Sequence, residues 1–282
     1  MTPALATSQP TRRSFQIDSK YVAPLLISCI LLVGHLTTGM LADWKKTALC
    51  IIVSILAEAA MGFITAKKMP HLASAYVSGI SCGILVRSVE WWPFVVAPAL
   101  AIVSKYLIRI EGRHLWNPSN LAIVLLLLLA PQSMYTLSFE FGNHTWAPIL
   151  IWILGSVIIY RLKRFHICFT YIVCFLGFAL LRAALHTDMA FGPAFNYEIA
   201  PLTSAMYQLF VFFMITDPKT TVHSKRGQIL VAFLVAAAEF VLRQWGQHWN
   251  RHIASHAPYF ALTLMGPTAN IIEILKARKA KR

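Results

Sequence analysis

The sequence predicts an all-α, polytopic membrane protein with ten transmembrane helices in two inverted five-helix repeats that contain broken helices. Its composition is 57% hydrophobic and only 13% charged, whereas soluble domains carry roughly 25% charged residues. The apolar runs continue over lengths that suit a membrane-spanning helix, which needs roughly 20 residues. Polar residues interrupt these runs at matching places in the two halves, as in transporters built from inverted repeats.

Ten apolar segments meet these criteria, at about 21–41, 47–66, 71–88, 91–110, 117–134, 146–162, 165–185, 199–216, 227–245 and 256–275. They divide the chain into a basic N-terminal tail at 1–20, a membrane domain at 21–275 and a basic C-terminal tail at 276–282. The two halves of the membrane domain are expected at about 21–134 and 146–275.

The basic residues predict how the chain is oriented. Of the 25 Lys and Arg residues, 19 fall in the termini and loops on one side of the predicted membrane and 6 on the other. Because Lys and Arg collect in cytoplasmic loops, both termini are expected in the cytoplasm. The same rule explains the net charge of +14, so we expect no nucleic-acid partner. The first 20 residues are polar and lack the apolar core of a cleavable signal peptide.

The cysteines and histidines do not predict a metal site. The five cysteines lie in or beside apolar runs without CxxC spacing, as small buried hydrophobic residues do. His248, His252 and His256 are spaced four residues apart, which could place metal ligands on one helix face. An interfacial polar loop explains this spacing as well, and we predict no bound metal.

Polar or helix-breaking residues interrupt corresponding segments of the two halves. They are Ser78 and Gly79 in the third segment, Thr216, Asp217 and Pro218 at the end of the eighth, "NPSN" at the start of the fifth, and Gly266 and Pro267 within the tenth. In inverted-repeat transporters the binding site lies between such broken helices. The pattern therefore indicates a site where these interruptions meet.

The "NPSN" element allows two interpretations. Pro118 suits the first turn of a helix, so Asn117 would be a natural N-cap. A helix N-terminus also offers free N–H groups and a partial positive charge to a ligand. The amides of Asn117 and Asn120 can donate and accept hydrogen bonds at the edge of a heteroaromatic ring. The sequence leaves the cap and the ligand site open.

Three carboxylates and one histidine also allow either a functional or an ordinary structural interpretation. Asp217 is either functional, as carboxylates at the membrane often are, or the start of an ordinary Asp-Pro turn. Glu58 and Glu239 lie well inside apolar runs and are candidates for an ion path. Either could instead pair with a base, which for Glu239 would be Arg243 one turn on. His114 could contact a phosphate or a quinone headgroup, or be an ordinary interfacial residue.

Several segments together resemble one known family. "SKYLIRIEGRHLWNPSN", "FFMITDP", "RGQILVAFLVAAAEFVLR" and "YFALTLMGPTANIIE" are similar to segments of the RnfD/NqrB membrane subunits, and "GRH…NPSN" is similar to the UnbU-like branch. The resemblance covers roughly residues 70–275. It implies ten helices in two halves, and a place in the bacterial inner membrane beside other membrane and redox subunits of a redox-driven ion pump.

The resemblance also implies a bound flavin, because these subunits hold riboflavin non-covalently and FMN covalently. The residues expected to contact it are Asn117, Pro118, Asn120, Thr216, Asp217, Ser78, Gly79 and His114. The family attaches FMN to the threonine of a Ser-Gly-Ala-Thr element, which this sequence lacks, and Thr145 is a poor substitute. We therefore expect riboflavin or FMN held without a covalent bond.

Two functions are carried forward. The first is a flavin-binding electron-transfer subunit of an Rnf/Nqr-like, ion-translocating oxidoreductase complex, and the retained Asn-Pro and Thr-Asp-Pro elements favour it. The second is a small-solute transporter or channel of the same fold without a redox cofactor, which the missing Ser-Gly-Ala-Thr element favours. We take electron transfer as the working hypothesis.

Overall fold

The structure, a computed structural model, describes residues 19–38, 43–136 and 146–280. Most of the predicted N-terminal tail (1–18), the attachment candidate Thr145 and the last two residues (281–282) lie outside the described residues. Residues 276–280 of the predicted C-terminal tail continue the last helix.

Helices form most of the regular structure. In the first half they are α1 (Ser19–Thr38), α2 (Trp44–Ala66), α3 (Ala73–Leu85), α4 (Pro93–Leu107) and α5 (Pro118–Leu129). Each overlaps one of the first five predicted segments. α5 begins one residue after Asn117 and is only 12 residues long, so the fifth segment is shorter than predicted.

The helices of the second half are interrupted more often than the sequence predicts. Its elements are α6 (Trp146–Leu162), α7 (Phe165–Leu185), α8 (Phe191–Ile199), a 3₁₀ turn (Ala200–Thr203), α9 (Ala205–Leu209), a π-helical turn (Phe210–Met214), α10 (Lys225–Trp249), α11 (Arg251–Ser255) and α12 (Ala257–Ala280). The eighth predicted segment is thus three short pieces rather than one helix. Turns of π-helix often mark functional sites, and this one ends three residues before Asp217.

Within the described residues, three helices are long and apolar enough to cross a membrane by length and composition: Trp44–Ala66, Phe165–Leu185 and Lys225–Gly246. Shorter apolar helical stretches accompany them at Pro24–Val33, Ala73–Leu85, Pro93–Leu107, Pro118–Leu129 and Ile149–Leu162. Large apolar side chains on the outside of the bundle are exposed, such as Ile64 (75%) and Phe169 (70%). Such a surface suits hydrocarbon better than water.

Two glycines allow α3 to pack closely on α2. A Cβ atom at Gly79 would lie 2.7 Å from Ile51 Cα, and one at Gly83 would lie 2.9 Å from Thr47 Cα. Small residues of this kind let membrane helices approach each other. α2 also packs against α4, and α4 against α5. In the second half, α7 packs against α10, and α10 against α12.

Two pairs of short antiparallel strands connect the helices. β1 (Val86–Arg87), directly after α3, pairs with β4 (Tyr135–Thr136), which follows α5. β2 (Arg109–Ile110) and β3 (Arg113–His114) pair with each other and form a hairpin between α4 and α5.

The hairpin turn explains part of the polar stretch before α5. Its two central residues, Glu111 and Gly112, have φ angles of 52° and 76°, the left-handed region that a type I′ turn requires. Arg109 lies opposite His114 across the hairpin. The chain therefore reverses direction here and delivers His114 and Asn117 to the beginning of α5.

Candidate functional site

A cavity of about 440 Å³ lies between elements of the two halves. α1, α3, α5 and His114 of the hairpin form one side, and α6 with the segment from Leu209 to Lys219 forms the other. Small-molecule sites have this size and combine apolar walls with a few polar groups. The polar residues of the lining are His71, Ser74, Ser78, Ser81, Lys105, His114, Asn117, Ser119, Thr216, Asp217 and Lys219.

Asn117 is both a helix cap and part of the cavity wall. Its Oδ1 atom accepts a hydrogen bond from the backbone N–H of Asn120 at 3.1 Å, which caps α5. Its Nδ2 atom donates to Asp217 Oδ2 at 3.3 Å. The two interpretations of the Asn-Pro element are therefore compatible in geometry, because one end of the amide caps the helix while the other reaches the cavity.

Asp217 is likewise a turn residue that lines the cavity. Its Oδ1 accepts from the backbone N–H of Lys219 at 3.1 Å, and its Oδ2 accepts from Thr220 Oγ1 at 2.9 Å as well as from Asn117. These bonds hold the carboxylate in one orientation at the end of the π-helical turn. The start of α5 and the end of this turn thus meet through a pair of polar side chains.

Two lysines converge on one serine at the beginning of α3. Lys105 Nζ lies 3.3 Å from both Ser74 Oγ and Ser74 O, and 3.5 Å from Glu58 Oε2. Lys219 Nζ lies 3.5 Å from the same Ser74 Oγ. The three residues that meet here, Ser74, Lys105 and Lys219, all line the cavity, and we call them the lysine pair with Ser74.

His114 lies close to this cationic group. Burial lowers its pKa to about 4, and the positive charges of Arg109, Lys219 and Lys105 act in the same direction. The imidazole is therefore neutral at pH 7. Its Nδ1 atom is enclosed and has no hydrogen-bond partner among the described residues. Buried polar atoms are usually paired, so this atom is a candidate contact for a guest in the cavity.

The predicted contact residues divide into two groups. Six line the cavity: Ser78, His114, Asn117, Pro118, Thr216 and Asp217. The structure does not bring Gly79 there, because it faces α2. It does not bring Asn120 there either, because the Asn120 side chain donates from Nδ2 to Thr263 Oγ1 at 2.7 Å and to Tyr259 O at 3.1 Å. Gly79 and Asn120 therefore lie outside the cavity lining, and the flavin role of the other six stays a prediction.

The two ion-path candidates lie in buried polar networks. Glu58 in α2 contacts Lys105 at 3.5 Å and accepts a hydrogen bond from Tyr106 at 2.9 Å. Glu239 in α10 is fully buried and pairs with Arg243 Nε at 2.9 Å, as the sequence suggested. It also accepts hydrogen bonds from Tyr171 and Tyr207.

The histidines after α10 have structural roles. His256 Nε2 accepts from the backbone N–H of Thr136 at 3.3 Å, its Nδ1 donates to His252 O at 2.8 Å, and His252 Nε2 donates to Leu127 O at 3.1 Å. No group of three or more metal-ligating side chains occurs among the described residues.

The sequence of residues 137–279, half of the chain, matches the profile of the NQR2, RnfD, RnfE family. The chain belongs to this family. This confirms the resemblance seen in the individual segments. The match includes Asp217 and Glu239, whereas Asn117 precedes it. Family membership together with the apolar helices indicates a multi-pass membrane protein.

Two curated relatives are both named as the D-type subunit of an ion-translocating oxidoreductase complex. The protein from Shewanella piezotolerans is 26% identical to this chain over an alignment of 278 residues. The alignment covers 71% of this chain and 77% of that protein. The protein from Aliivibrio salmonicida is 23% identical over an alignment of 322 residues. The alignment covers 85% of this chain and 89% of that protein. The alignments thus span most of both relatives.

In this member of the NQR2, RnfD, RnfE family, the sequence alone does not indicate several residues in and around the cavity. Lys105 contributes to the excess of basic residues on one side of the predicted membrane, although a lysine within an apolar run is itself unusual. Arg113 was also missed. It donates from Nη1 to Glu273 Oε2 at 2.7 Å and from Nη2 to Asn270 Oδ1 at 2.9 Å, and so ties the hairpin to α12. No signal in one sequence indicates these distant partners.

Proposed function

We propose that this protein is a flavin-binding membrane subunit of an Rnf/Nqr-like electron transport complex, and that it passes electrons between partner subunits in a process coupled to ion translocation. The observation that carries the proposal is the cavity in which Asn117 and Asp217, from opposite halves of the chain, are joined by a hydrogen bond of 3.3 Å. The names of the two relatives support the assignment to such a complex.

The residues of the cavity fit a flavin. Amide and carboxylate groups at Asn117 and Asp217 suit the hydrogen-bonding edge of the ring system or the ribityl hydroxyls. The apolar walls, including Ile80, Ile84 and Phe212, suit a planar ring and exclude water. The Nδ1 atom of His114, which has no partner in the described part of the chain, offers a further polar contact. A bound flavin supplies electron transfer, and the protein supplies its binding, orientation and electrostatic surroundings.

We further propose the ten-helix arrangement of two inverted five-helix repeats. The packing of α2 on α4 and of α4 on α5 corresponds to that of α7 on α10 and of α10 on α12, and this correspondence supports the repeat. The excess of Lys and Arg on one side supports cytoplasmic termini, and the bacterial inner membrane is the location we propose. Membership of the UnbU-like branch stays a prediction.

Ion coupling is assigned to the two buried carboxylates. Glu58 and Glu239 lie in α2 and α10, one in each half, and both are hydrogen-bonded to tyrosine hydroxyls. Ionisable residues inside a membrane are costly and commonly mark proton or ion pathways. Glu239 does not line the cavity, whereas Glu58 contacts the cavity residue Lys105 at 3.5 Å.

The proposal is tested by denaturing the detergent-purified protein and measuring flavin fluorescence in the supernatant and in the protein pellet. Non-covalent binding predicts flavin in the supernatant. Flavin in the pellet would indicate a covalent bond and contradict the non-covalent assignment. The lack of flavin in both fractions would contradict the proposal and favour a small-solute transporter or channel of the same fold.

A further inference from the structure

We propose that Lys105 is a positioning residue that couples the charge of the guest in the cavity to the protonation of Glu58. An electron added at the cavity draws the ammonium group of Lys105 toward the guest, and Glu58 then takes up a proton. The inference rests on the proposed flavin site and deepens the role proposed for Glu58, because it names the ion and the group that controls its binding.

Lys105 lies between the cavity and Glu58. It is buried (5% exposed) and lines the cavity, whereas Glu58 does not. Its Nζ atom lies 3.5 Å from Glu58 Oε2 and 3.3 Å from both Ser74 Oγ and Ser74 O. Charge-assisted N–H···O bonds are ordinarily about 2.7–2.9 Å long. The ammonium group is therefore shared among its partners, and a short movement brings it closer to Glu58 or to the cavity.

A second ammonium group favours the Glu58 side while the cavity carries no negative charge. Lys219 Nζ lies 3.5 Å from Ser74 Oγ, the atom that Lys105 Nζ also contacts. Like charges held this close repel each other, so the charge of Lys219 opposes a movement of Lys105 into the cavity. A negative charge on the guest removes this opposition, because it attracts both ammonium groups.

The surroundings of Glu58 favour a proton over a metal cation. Its Oε1 atom accepts a hydrogen bond from the Tyr106 hydroxyl at 2.9 Å, and its Oε2 atom faces Lys105. Both partners present hydrogens to the carboxylate, whereas a hard metal cation needs several oxygen ligands. Once Lys105 has turned away, a buried carboxylate without its cation is costly, and one proton neutralises it.

Tyr106 marks the route by which the proton reaches Glu58. It is half-buried, and the Cζ atom of the exposed Arg109 lies 5.3 Å from its ring centroid. Arg109 belongs to the hairpin, on the side that the basic residues predict to be cytoplasmic. The charges balance in this step. One electron enters from the reductant, one proton enters at Glu58, and the summed charge of the guest, Lys105 and Glu58 stays the same.

Other titratable or charged groups near Lys105 and Glu58 compete for the proton or act on its binding. They are Tyr106, Cys82, His114, Arg109, Lys219 and Asp217. Phenols and thiols are protonated at neutral pH already, as are lysines and arginines, so the competing acceptors are His114 and Asp217. Infrared spectroscopy excludes the imidazole, because only a protonated carboxyl group gives an acid carbonyl band. A Glu58 variant distinguishes Glu58 from Asp217.

Infrared spectra of the full chain in detergent, oxidised and reduced with dithionite, test the proton uptake. We expect reduction to produce a protonated-carboxyl band in the parent and the loss of this band in Glu58→Gln. In Lys105→Gln the band should be present before reduction, because Glu58 has lost its cation, and Lys105→Gln/Glu58→Gln should lack it. Glu198→Gln is the matched control. Glu198 is buried and pairs with Arg182 outside the cavity, so this variant should keep the parental band.

The midpoint potential of the bound flavin is a second readout, and a purely structural role would not shift it in opposite directions. Lys105→Gln should lower the potential by at least about 59 mV, a tenfold change in a one-electron equilibrium constant, because the added charge has lost its cation. Glu58→Gln should raise it, because a nearby negative charge is gone. Lys225 is exposed at the beginning of α10 and does not line the cavity, so Lys225→Gln should keep the parental potential.

The contrary outcomes are distinct. Reduction without a carboxyl band, or a band that persists in Glu58→Gln, would overturn the inference and leave the proposed flavin site standing. Potential shifts of the same sign in Lys105→Gln and Glu58→Gln would overturn it as well. If Lys105→Gln does not fold, the parent and Glu58→Gln still decide the inference through the band and the raised potential. Protein that binds no flavin would overturn both the inference and the proposed function.

Discussion

Asn117 donates a hydrogen bond from Nδ2 to Asp217 Oδ2 at 3.3 Å, across 100 residues of sequence. The first residue caps α5 and the second follows the π-helical turn Phe210–Met214. This contact joins the two halves of the chain at the cavity. Because each residue also has a local structural role, variants must separate the loss of local structure from the loss of a ligand.

Replacement of Asn117 by Ser separates its two roles. Serine is a good N-cap, so α5 should keep its capped start, whereas the donor to Asp217 is lost. We expect Asn117→Ser to lose most of its flavin per folded chain while its unfolding temperature in detergent changes little. Asn117→Ala should lose flavin and also about 1 kcal/mol of stability.

Asn250→Ala is the matched control for these variants. Asn250 caps α11 by accepting from His252 N at 3.0 Å and Ile253 N at 3.4 Å, and it does not line the cavity. The flavin content of Asn250→Ala should equal that of the parent protein. Equal flavin content in Asn117→Ser, Asn117→Ala and the parent would show that Asn117 is a cap and not a ligand contact.

Asp217→Ala is expected to remove bound flavin because it deletes the carboxylate that Asn117, Thr220 and Lys219 N hold in place. Asp43→Ala is the control, since Asp43 caps α2 by accepting from Lys45 N at 2.9 Å and lies outside the cavity. Flavin per folded chain, measured after gel filtration, should fall only in Asp217→Ala. A parallel fall in both variants would indicate a general loss of folding.

Glu239 is predicted to stabilise the second half rather than the cavity. Glu239→Ala removes the carboxylate that pairs with Arg243 and accepts hydrogen bonds from Tyr171 and Tyr207. Removing one member of a buried ion pair costs roughly 3–5 kcal/mol. Thermal unfolding in detergent should show this loss, with flavin per folded chain unchanged. The double variant Glu239→Ala/Arg243→Met should recover part of the stability, and further destabilisation would contradict this assignment.

The lowered pKa of His114 predicts that the stability of the protein depends on pH. Its pKa in the folded protein is lowered to about 4, whereas the unfolded value is about 6.5. Between these values the unfolded chain binds more protons, so the contribution of neutral His114 is present above about pH 6.5 and is lost as the pH falls toward 4. His114→Gln should therefore lose less stability than the parent between about pH 7 and about pH 4.5. The unfolding temperature in detergent, measured at both pH values, checks this, and equal losses in the two proteins would contradict it.

The sequence identified the chemically unusual residues better than their orientation. Asn117 and Asp217 stand out as an amide before Pro and a carboxylate after an apolar run, and the structure places them in contact. Ser78 and Gly79 were predicted together, yet consecutive helical residues point about 100° apart, so Ser78 lines the cavity and Gly79 faces α2. The convergence of Lys105 and Lys219 on Ser74 depends on packing among three distant segments, which no local pattern encodes.

The broken second half was only partly predictable for a similar reason. The Asp-Pro pair at Asp217 and Pro218 indicates an end to the helix there. The π-helical turn at Phe210–Met214 interrupts an apolar run that contains neither Gly nor Pro. Phe212 of this turn packs against Trp152 of α6, with ring centroids 5.0 Å apart, a contact that the local sequence does not reveal. Apolar periodicity alone predicts a continuous helix there.

An experimental density map of the detergent-purified protein, recorded without added ligand, tests the central claim most directly. We expect density for a planar three-ring system between α3 and the Leu209–Lys219 segment, with its polar groups within hydrogen-bonding distance of Asn117 and Asp217. Density for a lipid chain in this cavity, or a flavin bound elsewhere on the chain, would contradict the claim.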